Sequence, residues 1–212
     1  MHNLSILITR PNHDKTTNYL YHWSKLVITQ AIKKGIKIYD LAGNRANRET
    51  FTSYLKQNPL IIFFNGHGDE NSVTGFNDEI LIKLGDNEAV LKNKIAYSRS
   101  CRSAKILGHE CVKNGCRAFI GYKEDFIFCI SPHLSTKPLE DKVAKLFLEP
   151  SNLIVVALLK GKSAQEAHVR SLKLMKKNFN DLVSTSSPPK SKNYAPYLWH
   201  NIKHQVVISN KL

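Results

Sequence analysis

The sequence predicts an α/β fold: a mostly parallel central sheet with helices on both faces. Three observations predict it. Short apolar runs at residues 4–9, 60–64 and 117–122 are continuous rather than alternating, as in strands buried on both faces. Stretches with helical spacing separate the early runs, giving strand, helix, strand, helix, strand. Gly- and Ser-containing turns follow the runs at 60–64 and 94–98, at the carboxyl ends where open α/β sheets collect functional groups.

Residues 4–9 form the first expected strand. Pro11, Asn12 and Asp14 break it and open a helix with Tyr19, Leu20, Trp23, Leu26, Val27 and Ala31 on its apolar positions, stopped by Gly35. Residues 36–41 read as a second strand, and a polar helix over 47–57 ends at Asn58-Pro59, since the residue before proline disfavours the helical conformation. The third strand begins at Leu60. Between His67 and Lys94, Gly75, Asn77, Asp78, Gly85 and Asn87 punctuate short apolar pieces, which predicts loop with a small hairpin. Residues 94–98 read as a strand, 103–114 as a helix presenting Ala104, Leu107 and Cys111, and 117–122 as another strand. Residues 123–137 are irregular. Helices are expected over 139–148, with Leu139, Val143, Leu146 and Phe147 inward, and over 163–183. Residues 153–159 are apolar throughout, and periodicity does not separate strand from buried helix there. Residues 184–193, with Pro188-Pro189, read as a flexible loop, and 194–212 as a C-terminal strand segment with its strand at 205–209. The whole chain, 1–212, reads as a single domain without internal repeats.

Composition is that of an ordinary globular protein, 42% hydrophobic and 23% charged. No segment approaches the roughly 20 apolar residues of a membrane-spanning helix, and the apolar run 4–8 is too short for a secretory leader. A cytoplasmic location without membrane association is the expectation. Cys101, Cys111, Cys116 and Cys129 then read as reduced thiols rather than a disulfide framework. A net charge of +14 makes nucleic acid or an acidic partner worth weighing. Residues 160–203 carry nine Lys or Arg against two acids, half of that excess. The simpler reading is a solvated helix face, because the chain has no aromatic-studded RNA strand, zinc finger or basic zipper; nucleic acid is compatible but not favoured.

The chemistry concentrates in Asn65-Gly66-His67-Gly68-Asp69 and Ser100-Cys101-Arg102-Ser103-Ala104, each directly after an expected strand. If the two strands are neighbours, His67 and Cys101 emerge on one rim. A thiol is a strong nucleophile as thiolate, so it needs a base and a setting that favours the anion. His67 is the candidate base. The expected helix start at 103 offers Cys101 free N–H groups and the positive end of the macrodipole. The N–H groups of Gly68 and Cys101 are candidates for holding an oxyanion. For substrate recognition, Arg10, Arg99 and Arg102 could receive an acidic side chain, and Glu124 and Asp125 a basic one. Metal sets drawn from Cys101, His109, Cys111 and Cys116, or from His67, Asp69 and Glu70, lack paired ligands at short spacing; on a helix His109 and Cys111 point about 200° apart. No metal is expected. The Gly66–Gly68 turn matches neither a Walker motif nor a dinucleotide fingerprint.

Taken in order, the His-Gly motif, the Ser-Cys motif and Ala118-Phe119-Ile120-Gly121-Tyr122 resemble the caspase-like (clan CD) cysteine peptidases, closest to the bacterial CHAT and gingipain-type branch. The similarity extends to 138–141 and 161–167, covering roughly 4–183 and 201–209. It implies a caspase-like three-layer sandwich and an endopeptidase with His67 as general base and acid, Cys101 as nucleophile and Gly68 in the oxyanion hole. It implies no metal or organic cofactor, a protein or peptide substrate, a possible activating or regulatory protein, and a signalling, toxin or defence setting. Arg99-Ser100 stand where better-known caspases carry Gln-Ala, so their aspartate preference does not transfer. The competing reading is a non-catalytic caspase-like module that binds a protein or nucleic acid through its basic C-terminal third.

Overall fold

The computed structural model describes residues 4–210. Strands β1 (Ser5–Arg10), β2 (Lys37–Ala42), β3 (Ile61–Asn65), β6 (Ile95–Arg99), β7 (Ala118–Tyr122) and β8 (Gln205–Ser209) form one sheet in the order β2-β1-β3-β6-β7-β8. The first five are parallel, and β8 pairs antiparallel with β7. A separate antiparallel pair, β4 (Ser72–Thr74) and β5 (Ile80–Lys83), supplies the hairpin expected between His67 and Lys94.

Side chains alternate across the sheet with period two, and each face meets its own helices. Leu7, Ile62, Phe64, Ala96 and Phe119 pack with Phe51 of α2 (Arg48–Leu55) and with Leu107 and Cys111 of α3 (Leu107–Lys113). Ile6, Ile8, Ile61, Phe63, Tyr97 and Ile120 pack with Val27 of α1 (Lys15–Lys33), Ile154 of α4 (Lys142–Leu158) and Ala167 of α5 (Ala164–Val183). The result is a three-layer α/β sandwich. Each fully buried Ile or Phe contributes about 1.5–3 kcal/mol, which explains why the strand sequences are apolar on both faces.

The structure departs from the sequence expectations in three places. The helix expected over 103–114 begins only at Leu107. Residues before it are held by the segment after β7: Arg102, at φ 51°, donates to Glu124 O and Ala104 donates to Tyr122 O, so these N–H groups are spent outside the helix. Leu139, expected inward, stays outside the helix, 45% exposed, because Asp141 caps the first turn by accepting from Val143 and Ala144, and that helix runs on through 153–158 as α4, the helical one of the two forms periodicity left open. α4 tolerates an internal proline. Pro150 cannot donate to Leu146 O, and Asn178 of α5 donates to that carbonyl instead, at 2.9 Å. Last, residues 184–193 include a short helix, α6 (Pro189–Lys192), and the expected C-terminal strand segment is mainly helix α7 (Ala195–His204) leading into β8. Proline just inside α7 is compatible with a helix start, and Ala195, Leu198 and Ile202 form its buried stripe. Residues 211–212 of that segment lie outside the described residues.

Candidate active site

The chain leaves β1 toward β2 on one side and builds β3, β6 and β7 on the other, so the strand order reverses beside β1, where open α/β sheets place their ligand crevice. Asn65 and Arg99, the last residues of β3 and β6, are paired in register. His67 and Cys101 each follow that pair by two residues, and both line one groove of about 340 Å³.

Beneath the groove a buried polar network fixes the strand ends. Arg99 is fully buried; its guanidinium donates to Asn65 Oδ1 (2.9 and 2.5 Å), to Asn152 Oδ1 of α4 (3.0 Å) and to Leu20 O of α1 (3.3 Å), and stacks over Phe63. Asn65 in turn donates through its side chain to Thr9 O at 2.8 Å. Burial pulls the Arg99 pKa down to about 10. One side chain thus ties β6, β3, α1 and α4 together under the site.

Above the network the backbone turns sharply. Gly66 sits at φ 158°, and a Cβ there would lie 2.3 Å from Thr74 O. The next residue accepts a hydrogen bond from Thr74 N at 3.0 Å, so β4 backs directly onto His67. Gly68 approaches the other strand end: a Cβ there would lie 2.9 Å from Ser100 Oγ. Among the described residues, neither Gly68 N–H nor Cys101 N–H donates a hydrogen bond.

His67 is held by Asp14. His67 Nε2 lies 2.5 Å from Asp14 Oδ2, while Asp14 Oδ1 accepts from Thr17 N at 2.6 Å and caps α1. Burial alone would raise the Asp14 pKa; the hydrogen bonds from His67 and Thr17, with the charge of His67, outweigh it and lower the value. The capping box is readable in the sequence as Asp-x-x-Thr, but nothing in the spacing links Asp14 to His67 across 53 residues. Sequence reasoning assigned Asp14 only to the helix start.

Cys101 is half-buried and free of disulfide partners. Burial pushes its thiol pKa up; the Phe126 N–H opposes this, Asp125 adds to it through a hydrogen bond and its charge, and Arg102 opposes, with a net rise. This corrects the expectation of a helix-activated thiolate: α3 starts six residues beyond Cys101, and the nearest carboxylate favours the protonated thiol.

Apolar residues Phe126, Ile127, Phe128 and Ile130 line the groove with Asp125, Lys15 and Thr16. Their loop is clamped by α7: Asn201 exchanges hydrogen bonds with Ile127 N and O, His200 Nε2 lies 3.0 Å from Asp125 O, and Lys123 N donates to His204 O. Of the five residues weighed for substrate binding, only Asp125 lines the groove, and it is paired with Arg102 at 3.2 Å. Arg10 is buried in a fork onto Asp40 and Arg99 in the network above, so neither reaches an incoming side chain. Glu124 does not line the groove; its charge acts on His204.

The metal sets weighed from sequence do not assemble. Cys111 and Cys116 are buried in the core, Asp69 accepts from Asn71 N and Ser72 N, and Glu70 pairs with Lys105. A larger apolar groove between α1 and α4, lined by Trp23, Leu26, Leu139 and Leu153, holds no thiol or imidazole.

No protein-family model matches the chain, and no curated protein matches it. Among solved structures, one described as "Structure of Protease" is similar over 58% of this chain and 30% of its own, with a TM-score of 0.36 and 19% identity. The chain spans less than a third of that protein's length.

Proposed function

We propose that the protein is a caspase-like cysteine peptidase in which Cys101 is the nucleophile, His67 the general base and acid, and Asp14 the group that orients His67. The observation that carries this reading is the meeting of His67 and Cys101 in one groove at the paired ends of β3 and β6, with His67 held from behind by a carboxylate. That is consistent with an activated nucleophile: nucleophile and base lining one groove, and the base oriented by a third group.

In the proposed reaction a peptide carbonyl enters the groove, the Cys101 proton passes to His67, and sulfur bonds to the carbonyl carbon. Asp14 stabilises the imidazolium so formed. The N–H groups of Gly68 and Cys101 receive the oxyanion. Collapse of the adduct breaks the C–N bond as His67 returns the proton to the leaving amine. A water that gives a proton to His67 then attacks the thioester, and the acid leaves with the thiol restored. Because the resting thiol pKa is raised, proton transfer belongs to the attack step instead of preceding it. The apolar lining and the existing Arg102–Asp125 pair favour an apolar substrate side chain over a charged one.

Labelling the native protein with an electrophilic thiol probe, with mass-spectrometric mapping in the parent and in His67→Ala, tests the reading. Selective modification of Cys101 that His67→Ala removes is expected, followed by cleavage in a peptide library that Cys101→Ala abolishes. Equal labelling of accessible cysteines, indifferent to His67, overturns it.

A further inference from the structure

His13 plays no part in the proposed reaction, yet it is placed as a ligand. Its side chain is 11% exposed, and both ring nitrogens are shielded from solvent without a hydrogen-bond partner among the described residues. A buried imidazole normally satisfies at least one nitrogen, so two orphaned nitrogens call for an explanation. Nε2 lies 3.5 Å from Asp78 Oδ1 and 3.9 Å from Asp14 Oδ2. The His13 ring packs edge-on against Phe76, and its centroid is 6.1 Å from that of His67. One ligand atom from each of His13, His67 and Asp78 falls within 4.8 Å of the others.

Bonds of about 2.0–2.1 Å to a tetrahedral zinc place neighbouring donor atoms about 3.3 Å apart. The His13–Asp78 separation already meets that spacing, and the His67 donor, within 4.8 Å of both, closes on them by side-chain rotation away from Asp14. Two imidazoles and a carboxylate suit a zinc-class ion; magnesium and calcium favour all-oxygen shells. His13 and Asp78 are 65 residues apart, so sequence spacing does not reveal the set.

We infer that His13, His67 and Asp78 form a binding site for a zinc-class divalent cation, and that the bound ion blocks the thiol chemistry by occupying the His67 imidazole. A neutral imidazole has a single in-plane lone pair. Once a metal holds it, no nitrogen remains to take the Cys101 proton. The blocking consequence rests on the peptidase reading, whereas the binding does not.

The experiment separates the two. Zinc binding is measured by competition with a chromophoric chelator in Cys101→Ser, where no thiol chemistry contributes. One equivalent is expected to bind, and to be lost in Cys101→Ser carrying either His13→Ala or Asp78→Asn, with the thermal midpoint of the metal-free Asp78→Asn variant unchanged. The Asp78 substitution lies at an exposed position, so loss of fold does not obscure the result. In protein retaining Cys101, zinc is expected to slow alkylation of Cys101, a chelator to restore it, and His13→Ala to remove the zinc effect. Binding that disappears in Cys101→Ser marks a thiol-centred ion and overturns the assignment. Binding indifferent to both His13→Ala and Asp78→Asn does the same. If Cys101 labelling proves indifferent to His67 while zinc still binds through His13 and Asp78, the peptidase reading fails and the metal site stands.

Discussion

At the scale of single residues, the site is governed by which carboxylate faces which partner. Asp14 pairs with the imidazole, whereas Asp125 raises the thiol pKa, and in the proposed reaction the two act in opposite directions. Asp125→Asn removes a hydrogen bond and a charge that both raise the Cys101 pKa, so alkylation of Cys101 at neutral pH is expected to speed up; a pH series of iodoacetamide rates checks it, and an unchanged profile refutes the assignment. Asp14→Asn keeps a residue well suited to capping α1 while removing the charge behind His67. It is expected to lower kcat with little change in KM, by up to the ~10²–10⁴-fold that a positioned base contributes. A loss confined to thermal stability would leave Asp14 as a cap alone. The placement of His67, Gly68 and Cys101 beyond neighbouring strand ends was legible from the sequence because each motif directly follows an apolar run. Asp14 and the burial of Arg10 and Arg99 were not, because both depend on contacts between elements far apart in the chain.

At the scale of elements, two substitutions separate fold from chemistry. Asn178→Leu leaves Leu146 O, already deprived of a partner by Pro150, without its donor, at an expected cost of about 1–3 kcal/mol in denaturant unfolding. Gly66→Ala sets a Cβ against Thr74 O and is expected to cost at least about 1–3 kcal/mol while displacing His67, lowering stability and Cys101 labelling together. The parallel strands were readable because burial on both faces leaves continuous apolar runs. The second half of α4 was not, because residues 153–158, covered by the sheet on one side and by neighbouring helices on others, are apolar all round, as a buried strand is. The start of α3 was misread for a different reason: helix propensity at 103–106 yields to hydrogen bonds with Tyr122 and Glu124 carbonyls, which local sequence does not encode.

At the scale of the molecule, acid is expected to unfold the protein through two carboxylates that each join separate parts of the chain. Asp141 is fully buried and accepts from Ser131, Val143, Ala144 and Tyr19; burial would raise its pKa, but these hydrogen bonds lower it below the ordinary 3.8. Asp14 is lowered likewise. A depressed carboxylate stabilises the fold above its unfolded value and loses that contribution as pH falls through the folded value, so stability should decline below about pH 4, and Asp141→Asn should flatten the decline in a pH series of unfolding midpoints. An undiminished slope would place the acid sensitivity elsewhere. The clamp of α7 on residues 123–127 also has a meaning in time. Ribosomes add about 5–20 residues per second, so the Cys101 codon is read roughly 5–20 s before those for the end of α7 and β8. During synthesis the thiol therefore exists without that clamped wall, and on the proposed peptidase reading the nascent chain is spared its own chemistry until α7 docks.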